Sequence, residues 1–430
     1  MDDMMRAVRR LSGRYVPFLQ PYWDAEDFSS IAAWLKSGEL EDARDKLAER
    51  LKLRFPQSAN IVLTDTGKSA LYVALKMLGI EPGDEVIVPS YCCLSVILSV
   101  LRGGCTPVLA DTDNQFNLSE EGVVAALSSR VKAILVPHLF GQKAASLEGI
   151  IALGRQRGIA VIEDVAQAYG LQLESGALAG SLGDAAIFSA GLGKPIMGPA
   201  GGWAVLNRPR DAAPRLEAEP IEETWTLVAN FVSRFTGPHW RRGYGDIVHA
   251  LPSRFQTLMR RKAGFDLRLM VENECRLRGI NIVDGWLAAR QIERIDRNIE
   301  LRRQNARRWK ALLAKAMIPC TTPPEATNVH AAFPLLFGGP DSRQAAEKFR
   351  RVLERGGVAT ETCYTPLHLR SECRGLRRTE MPFCGSAWQR VFSVPIRPNL
   401  TSEDWERIET VVALAGASRA SLARSSELVN

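Results

Sequence analysis

The sequence is poor in the features that announce a membrane, a metal or a nucleic acid. No apolar run in its 430 residues approaches the roughly 18 that a membrane span requires. The opening Met1-Asp2-Asp3-Met4-Met5-Arg6 is acidic and lacks the apolar core of a secretory signal, so a cytoplasmic protein is expected. Eight cysteines form no CxxC pair: Cys92 and Cys93 adjoin, and Cys105, Cys275, Cys320, Cys363, Cys373 and Cys384 are scattered. In a chain this long, that spacing points to reduced, mostly structural thiols rather than a disulfide framework. The five histidines lie far apart, and no metal site is expected. There is no internal repeat, no low-complexity tract, and no stripe of interleaved basic and aromatic residues to recommend nucleic acid.

What is present is ordinary globular material, 46% hydrophobic and 24% charged, enough for one large domain with a smaller second one. The net charge of +7 comes mainly from arginine, with pairs at Arg241-Arg242, Arg260-Arg261, Arg302-Arg303 and Arg307-Arg308. Such pairs either coat solvated helix faces or steer an anionic small substrate.

From about Ile61 to Leu206 short apolar runs alternate with helical stretches. The runs begin at Asn60, Glu85, Thr106, Ala133, Ile159, Ala185 and Trp203; the helical patterns include Ser69 to Leu78 and Leu147 to Arg157, each followed by glycine. Continuous apolar strands separated by helices imply a mostly parallel sheet covered on both faces, with ligands bound beyond the carboxyl ends of its strands. Residues 209–278 are less regular and read as a connecting or lid segment closing a large domain of residues 1–278. Residues 279–430 read as a connecting helix, about Trp286 to Ala316, and a small α+β domain. That domain should hold strands at Ala332 to Phe337 and Val358 to Thr362, helices at Ser342 to Arg355 and Ser402 to Leu414, and a frayed tail.

Three segments could carry chemistry. Thr64-Asp65-Thr66-Gly67-Lys68-Ser69 leads from a strand into a helix, where free amides and the helix dipole make an anion cradle. Gly67 permits close backbone approach, and Lys68 and Ser69 add a charge and a hydroxyl; simple capping of the helix is the plain alternative. Asp164 follows a buried strand, where an unpaired carboxylate is costly; it either caps a helix or faces a cation such as a protonated ring nitrogen. Lys194 sits in the glycine-rich loop Ser189-Ala190-Gly191-Leu192-Gly193-Lys194, ahead of Gly198-Pro199-Ala200-Gly201-Gly202. A lysine of depressed pKa there would be the nucleophile of Schiff-base chemistry, against a solvated loop lysine. Cradle, acid and lysine together are the equipment for pyridoxal phosphate.

With those residues in view, the sequence resembles the DegT–DnrJ–StrS family of PLP-dependent sugar aminotransferases along most of its length. The resemblance is carried by Leu78 to Ser90, Val136-Pro137-His138-Leu139-Phe140-Gly141-Gln142, Glu163 to Gly170, Gly180-Ser181-Leu182-Gly183-Asp184, Gln291 to Asp296, Tyr364-Thr365-Pro366-Leu367-His368 and Leu400 to Asp404. It implies an α/β, aspartate aminotransferase-like (fold type I) PLP-dependent transferase fold. It also implies transfer of an amino group, from glutamate, to a keto group of a nucleotide-linked sugar, by a homodimer with sites at the subunit boundary. Lys194 falls on the lysine that holds the cofactor, Asp164 on the partner of the ring nitrogen, and Gln167 on the residue beside the phenolic oxygen. Ser189, Gly67 and Lys68 fall on phosphate-binding positions. Departures stand beside these matches. Cys93 occupies the place of the aromatic ring stacked on the cofactor, with Tyr91 as the possible substitute. Ala190-Gly191-Leu192-Gly193 replaces bulkier residues and implies a more open loop. Arg278 lies near the place of the neighbouring subunit's phosphate-binding asparagine, and residues 209–278 are longer than usual. The alternatives are a PLP aminotransferase acting on a non-sugar or cyclitol ketone, and an inactive homologue kept for binding or regulation.

Overall fold

The computed structural model describes residues 15–209, 211, 214, 216–218, 220–235, 271, 277–324, 328–362 and 364–427, with side chains to residue 417. Two short helices, α1 (Ala25–Ser37) and α2 (Arg44–Arg54), precede the sheet. Asp24 and Asp27 form a capping box at the start of α1, and Gly38 closes it in the left-handed conformation.

Seven strands then follow in chain order: β1 (Asn60–Thr64), β2 (Glu85–Pro89), β3 (Thr106–Ala110), β4 (Val131–Pro137), β5 (Ala160–Asp164), β6 (Ala185–Ser189) and β7 (Gly202–Leu206). In space they run β1-β7-β6-β5-β4-β2-β3, and an eighth short strand from the C-terminal part, Arg377–Arg378, adds parallel to β3. Only β7 runs antiparallel to its neighbours within this sheet. β2, β4 and β7 are buried at nearly every position, as expected of strands covered on both faces. The apolar runs in the sequence coincide with these strands; between them lie helices α3 (Gly67–Met77), α4 (Leu94–Arg102), α5 (Glu120–Ala126) and α6 (Leu147–Arg157), the last with Gly158 as its left-handed cap.

A three-stranded antiparallel sheet, Val391–Val394, Phe333–Phe337 and Cys320–Thr321, packs with helices Ser342–Arg355 and Ser402–Glu427 around Trp309, Phe337 and Phe392. Three sequence expectations change here. The helical stretch around Trp286 to Ala316 is two helices, α8 (Ile282–Glu293) and α9 (Ile295–Lys315), with Arg294 between them at φ −103° and ψ 7°. Its guanidinium is held by Asp24 and Asp27 of α1. Val358 to Thr362 makes isolated bridges, Val16 to Val358 and Glu361 to Ser393, instead of a strand. The tail expected to fray continues the last helix to Glu427, as its alanine content favours. Of residues 209–278, helix α7 (Ile221–Phe235) is described and packs Phe231 on Trp23; the pairs Arg241-Arg242 and Arg260-Arg261 and most of the expected lid lie outside the described residues.

Candidate active site

The topology assembles the site. Because β7 is antiparallel to both β1 and β6, its first residue lies at their carboxyl ends: Gly202 is in register with Thr64 on one side and Ser189 on the other. The turn after β1 therefore meets the end of β6. There Gly201 donates to the carbonyl of Asp65 (2.6 Å), and Ala190 donates to the carbonyl of Gly201 (2.9 Å). A Cβ on Gly202 would lie 2.6 Å from the Gly67 nitrogen, so only glycine fits between the turns.

Gly67 opens helix α3 (Gly67–Met77), and Thr66 caps it. Ser69 is buried; its amide donates to Thr66 Oγ1 (3.3 Å) and its hydroxyl lies 3.2 Å from the same oxygen, so it completes the cap. Lys68 is half-buried on the first turn, and Ser189 Oγ accepts from the Gly191 amide at 3.4 Å. Arg278 supplies the carbonyl that receives the Asp65 amide (2.9 Å), while its guanidinium pairs with Glu223. It thus stands against the cradle of its own subunit.

Asp164 ends β5, opposite Ile187 of β6 and Pro137 of β4. Burial pushes its carboxyl above the usual carboxylate range; the charge of Lys194 and the amide of Ala166 pull it partly back. Ala166 donates to Oδ1 at 3.0 Å, and no ion pair among the described residues engages this carboxylate. Its neighbour Glu163 points the other way along the pleat and is fully buried. It accepts from His138 Nε2 (3.0 Å) and from the amides of Gly180, Leu182 and Gly183 (2.8 Å each). The Ala144 amide donates to His138 Nδ1 (3.1 Å), which places the ring proton on Nε2.

Lys194 follows a turn in which its amide donates to the Gly191 carbonyl (3.2 Å), with Gly193 at φ +79°. The loop beyond is tied down. Asn298 donates to the Pro195 carbonyl (3.1 Å), Gln291 accepts from Met197 (3.0 Å), Trp23 donates to the Met197 carbonyl (2.8 Å), and Asp284 accepts from Ala200 (3.0 Å). The openness expected of this loop is thus confined to Gly191–Gly193, where Leu192 is exposed.

Gln167 sits in the turn after β5: its Oε1 accepts from the Phe140 amide (2.8 Å) and its Nε2 donates to the Tyr364 hydroxyl (3.0 Å). Tyr91, offered above as a stacking ring, packs into the aromatic core beside Tyr364. It is fully buried, packed on Phe116 (4.5 Å) and edge-on to Tyr364 (5.7 Å). Cys93, half-buried, begins helix α4 (Leu94–Arg102), its thiol 3.3 Å from Ser95 Oγ. Cys92 beside it is buried within electrostatic reach of Asp164.

One contact escaped the sequence reading, the hydroxyl of Tyr364 on Gln167; the Tyr364-Thr365-Pro366-Leu367-His368 motif that carries it was the available signal. Among the described residues no cluster of His, Cys, Asp and Glu could hold a metal, and no helix is long and apolar enough to cross a membrane.

Known proteins resemble this chain in sequence or in structure. Protein MosB of Rhizobium meliloti is 37% identical over 186 residues, 42% of this chain but only 36% of MosB. The UDP-N-acetyl-3-dehydro-alpha-D-glucosamine 3-aminotransferase of Acidithiobacillus ferrooxidans is 29% identical over 349 residues, 81% of this chain and 82% of that protein. The crystal structure of DesV from S. venezuelae superposes with a TM-score of 0.66 at 25% identity, covering 94% of this chain and 98% of its own. The model of the DegT/DnrJ/EryC1/StrS aminotransferase family matches residues 22–216 and 280–413, the interruption falling where the sequence is longer than usual. With the match spanning both the sheet and the C-terminal part, the chain belongs to the DegT/DnrJ/EryC1/StrS aminotransferase family.

Proposed function

We propose that this chain is a pyridoxal-phosphate aminotransferase that moves an amino group from glutamate to a keto group of a nucleotide-linked sugar. The observation that carries the reading is the convergence, at the carboxyl ends of β1, β5 and β6, of a glycine cradle, a carboxylate without an ion-pair partner among the described residues, and Lys194. These residues fit the cofactor. Gly67 opens a helix whose first amides can receive a phosphate, its bare face letting Ser189 close in beside them, and the raised Asp164 carboxyl calls for a cation such as a ring N–H⁺. When bound, pyridoxal phosphate supplies an electron sink and a carrier for the amino group.

In this reading the amides and charge of Gly67–Lys68 and the hydroxyl of Ser189 hold the phosphate, with Ser69 keeping the helix start in shape. Asp164 keeps a proton on the ring nitrogen, Gln167 donates toward the phenolic oxygen, and Cys93 lies beside the ring. Lys194 Nζ anchors the cofactor and, once released, takes and returns the proton at the substrate carbon. The UDP-sugar activity named for the Acidithiobacillus ferrooxidans relative supports a nucleotide-sugar acceptor. We place the protein in the cytoplasm, which suits its six described free thiols, and in a homodimer, whose second subunit would cover Leu192 beside Lys194.

The test is the absorption spectrum of the purified protein with pyridoxal phosphate, then borohydride reduction and peptide mapping. The expected result is a visible band, a reduced label on Lys194 that Lys194→Ala abolishes, and conversion to the pyridoxamine form by glutamate. A label on another lysine would sink the assignment. Screening keto-sugar nucleotides against cyclitol and other ketones then identifies the acceptor.

A further inference from the structure

Gln167 is an amide whose orientation the structure decides. The Phe140 N–H can only donate, and it points at one end of the carboxamide from 2.8 Å, so that end is the oxygen. The nitrogen end therefore faces Tyr364, whose hydroxyl accepts one of its two hydrogens at 3.0 Å. Both anchors are themselves fixed. Phe140 sits at φ +61° within a buried turn, its ring packed on Phe116. Tyr364 stands edge-on against the buried Tyr91, and the chain just beyond it is pinned to the end of β2. There Leu367 donates to the Ser90 carbonyl (2.6 Å), the His368 amide donates to Ser90 Oγ (3.2 Å), and that oxygen lies 2.7 Å from His368 Nδ1.

We infer that Tyr364 is a positioning residue: with the Phe140 amide it clamps the Gln167 carboxamide so that the second hydrogen on Nε2 stays aimed at the phenolic oxygen of the cofactor. The inference rests on the reading that Gln167 borders that oxygen. The C-terminal segment thereby reaches the cofactor through an amide on the large sheet, and its docking at Ser90 sets the electronics of the ring. An N–H held on the phenolic oxygen stabilises its negative charge and competes for the proton it shares with the Lys194 nitrogen. Loosening the donor favours keeping that proton, so the pH midpoint of the visible absorption should rise.

The experiment compares Tyr364→Phe, Gln167→Ala and the double variant as full-length proteins, each checked for an unchanged melting curve. The readouts are the pyridoxal-phosphate dissociation constant and the pH midpoint of the visible band. The phenylalanine ring keeps the contact with Tyr91, so packing is preserved. Tyr364→Phe is expected to weaken cofactor binding about threefold to tenfold and raise the midpoint by about half a unit. The double variant should be no worse than Gln167→Ala alone, because both act through one amide. If the Tyr364→Phe effect persists in full in the Gln167→Ala background, or is absent while Gln167→Ala alters the band, Tyr364 does not act through Gln167. If Gln167→Ala changes neither readout, the placement of Gln167 against the cofactor is what fails.

Discussion

The face of Gly67 that carries no side chain is turned on Ser189: a Cβ there would lie 2.9 Å from the Ser189 Cβ and 3.3 Å from its Oγ. The first turn of α3 and the end of β6 are thus in contact across β7, although more than a hundred residues separate them in sequence. Gly67→Ala must push Ser189 or the turn aside, and Ser189 Cβ, rooted on a strand, cannot swing away. The variant should lose about 1–3 kcal/mol of stability. It should bind pyridoxal phosphate about tenfold more weakly, read by titration of the visible band. Unchanged binding would mean the phosphate lies elsewhere.

If Asp164 partners the ring nitrogen, it sets function against stability. Burial raises its carboxyl, with Lys194 and the Ala166 amide offsetting this only in part. A raised carboxyl stabilises the fold while protonated, and that contribution is lost as pH rises through the folded-state value. In the cofactor-free protein at pH 7.5 the ionised group is therefore a burden. Asp164→Asn keeps an oxygen for Ala166 and should melt about 1–3 °C higher there, the gain shrinking toward pH 4. Turnover should fall about a hundredfold or more. A lower melting temperature at pH 7.5 would show that ionised Asp164 is already compensated.

Glu163 titrates in the opposite sense. Burial raises it, but the hydrogen bond from His138 and the amides of Gly183 and Gly180 outweigh that, leaving it below the usual range. Its contribution is present above the unfolded value and lost as pH falls through the folded one, so it fades below about pH 4. Glu163→Gln would turn an NH₂ toward groups that can only donate, at a cost of about 2–4 kcal/mol at neutral pH. Urea unfolding between pH 3 and 7 should show a large neutral deficit and a flatter acid limb. Equal stability at pH 7 would contradict this bonding scheme.

Cys93 is half-buried at the start of α4, whereas Cys92, Cys105, Cys373 and Cys384 are buried and Cys320 is half-buried in the small sheet. If Cys93 borders the cofactor ring, pyridoxal phosphate should slow its reaction with a maleimide several-fold while leaving Cys320 unaffected. Mass mapping separates the two sites. Equal rates with and without cofactor would move the ring away from Cys93.

Some of this was legible in the sequence because it is local. Apolar runs of strand length, with helical patterns closed by Gly79 and Gly158, specify alternating strands and helices, since each face to be buried is written within a few residues. The cradle, the acid at the end of β5 and the loop lysine were visible as strand-end residues for the same reason. Val358 to Thr362 misled because β-branched residues suit an extended chain whether or not a neighbour supplies a ladder. The break at Arg294 was hidden: the apolar spacing runs on through it, and the aspartates that hold its guanidinium lie some 270 positions away.

Tertiary structure alone decided the rest. That β7 runs against β1 and β6, bringing Gly67, Gly202 and Ser189 together, is a matter of strand order, which apolar periodicity does not encode. The burial of Tyr91, the tethering of the lysine loop by Asp284, Gln291 and Asn298, and the meeting of Tyr364 with Gln167 follow from contacts between distant segments. The sequence determined which side chains stand at strand ends and what chemistry they can do. Whether a hydroxyl faces an amide, or a ring faces a cavity, depends on packing and on which donors lie within hydrogen-bond reach, and those are properties of the folded chain.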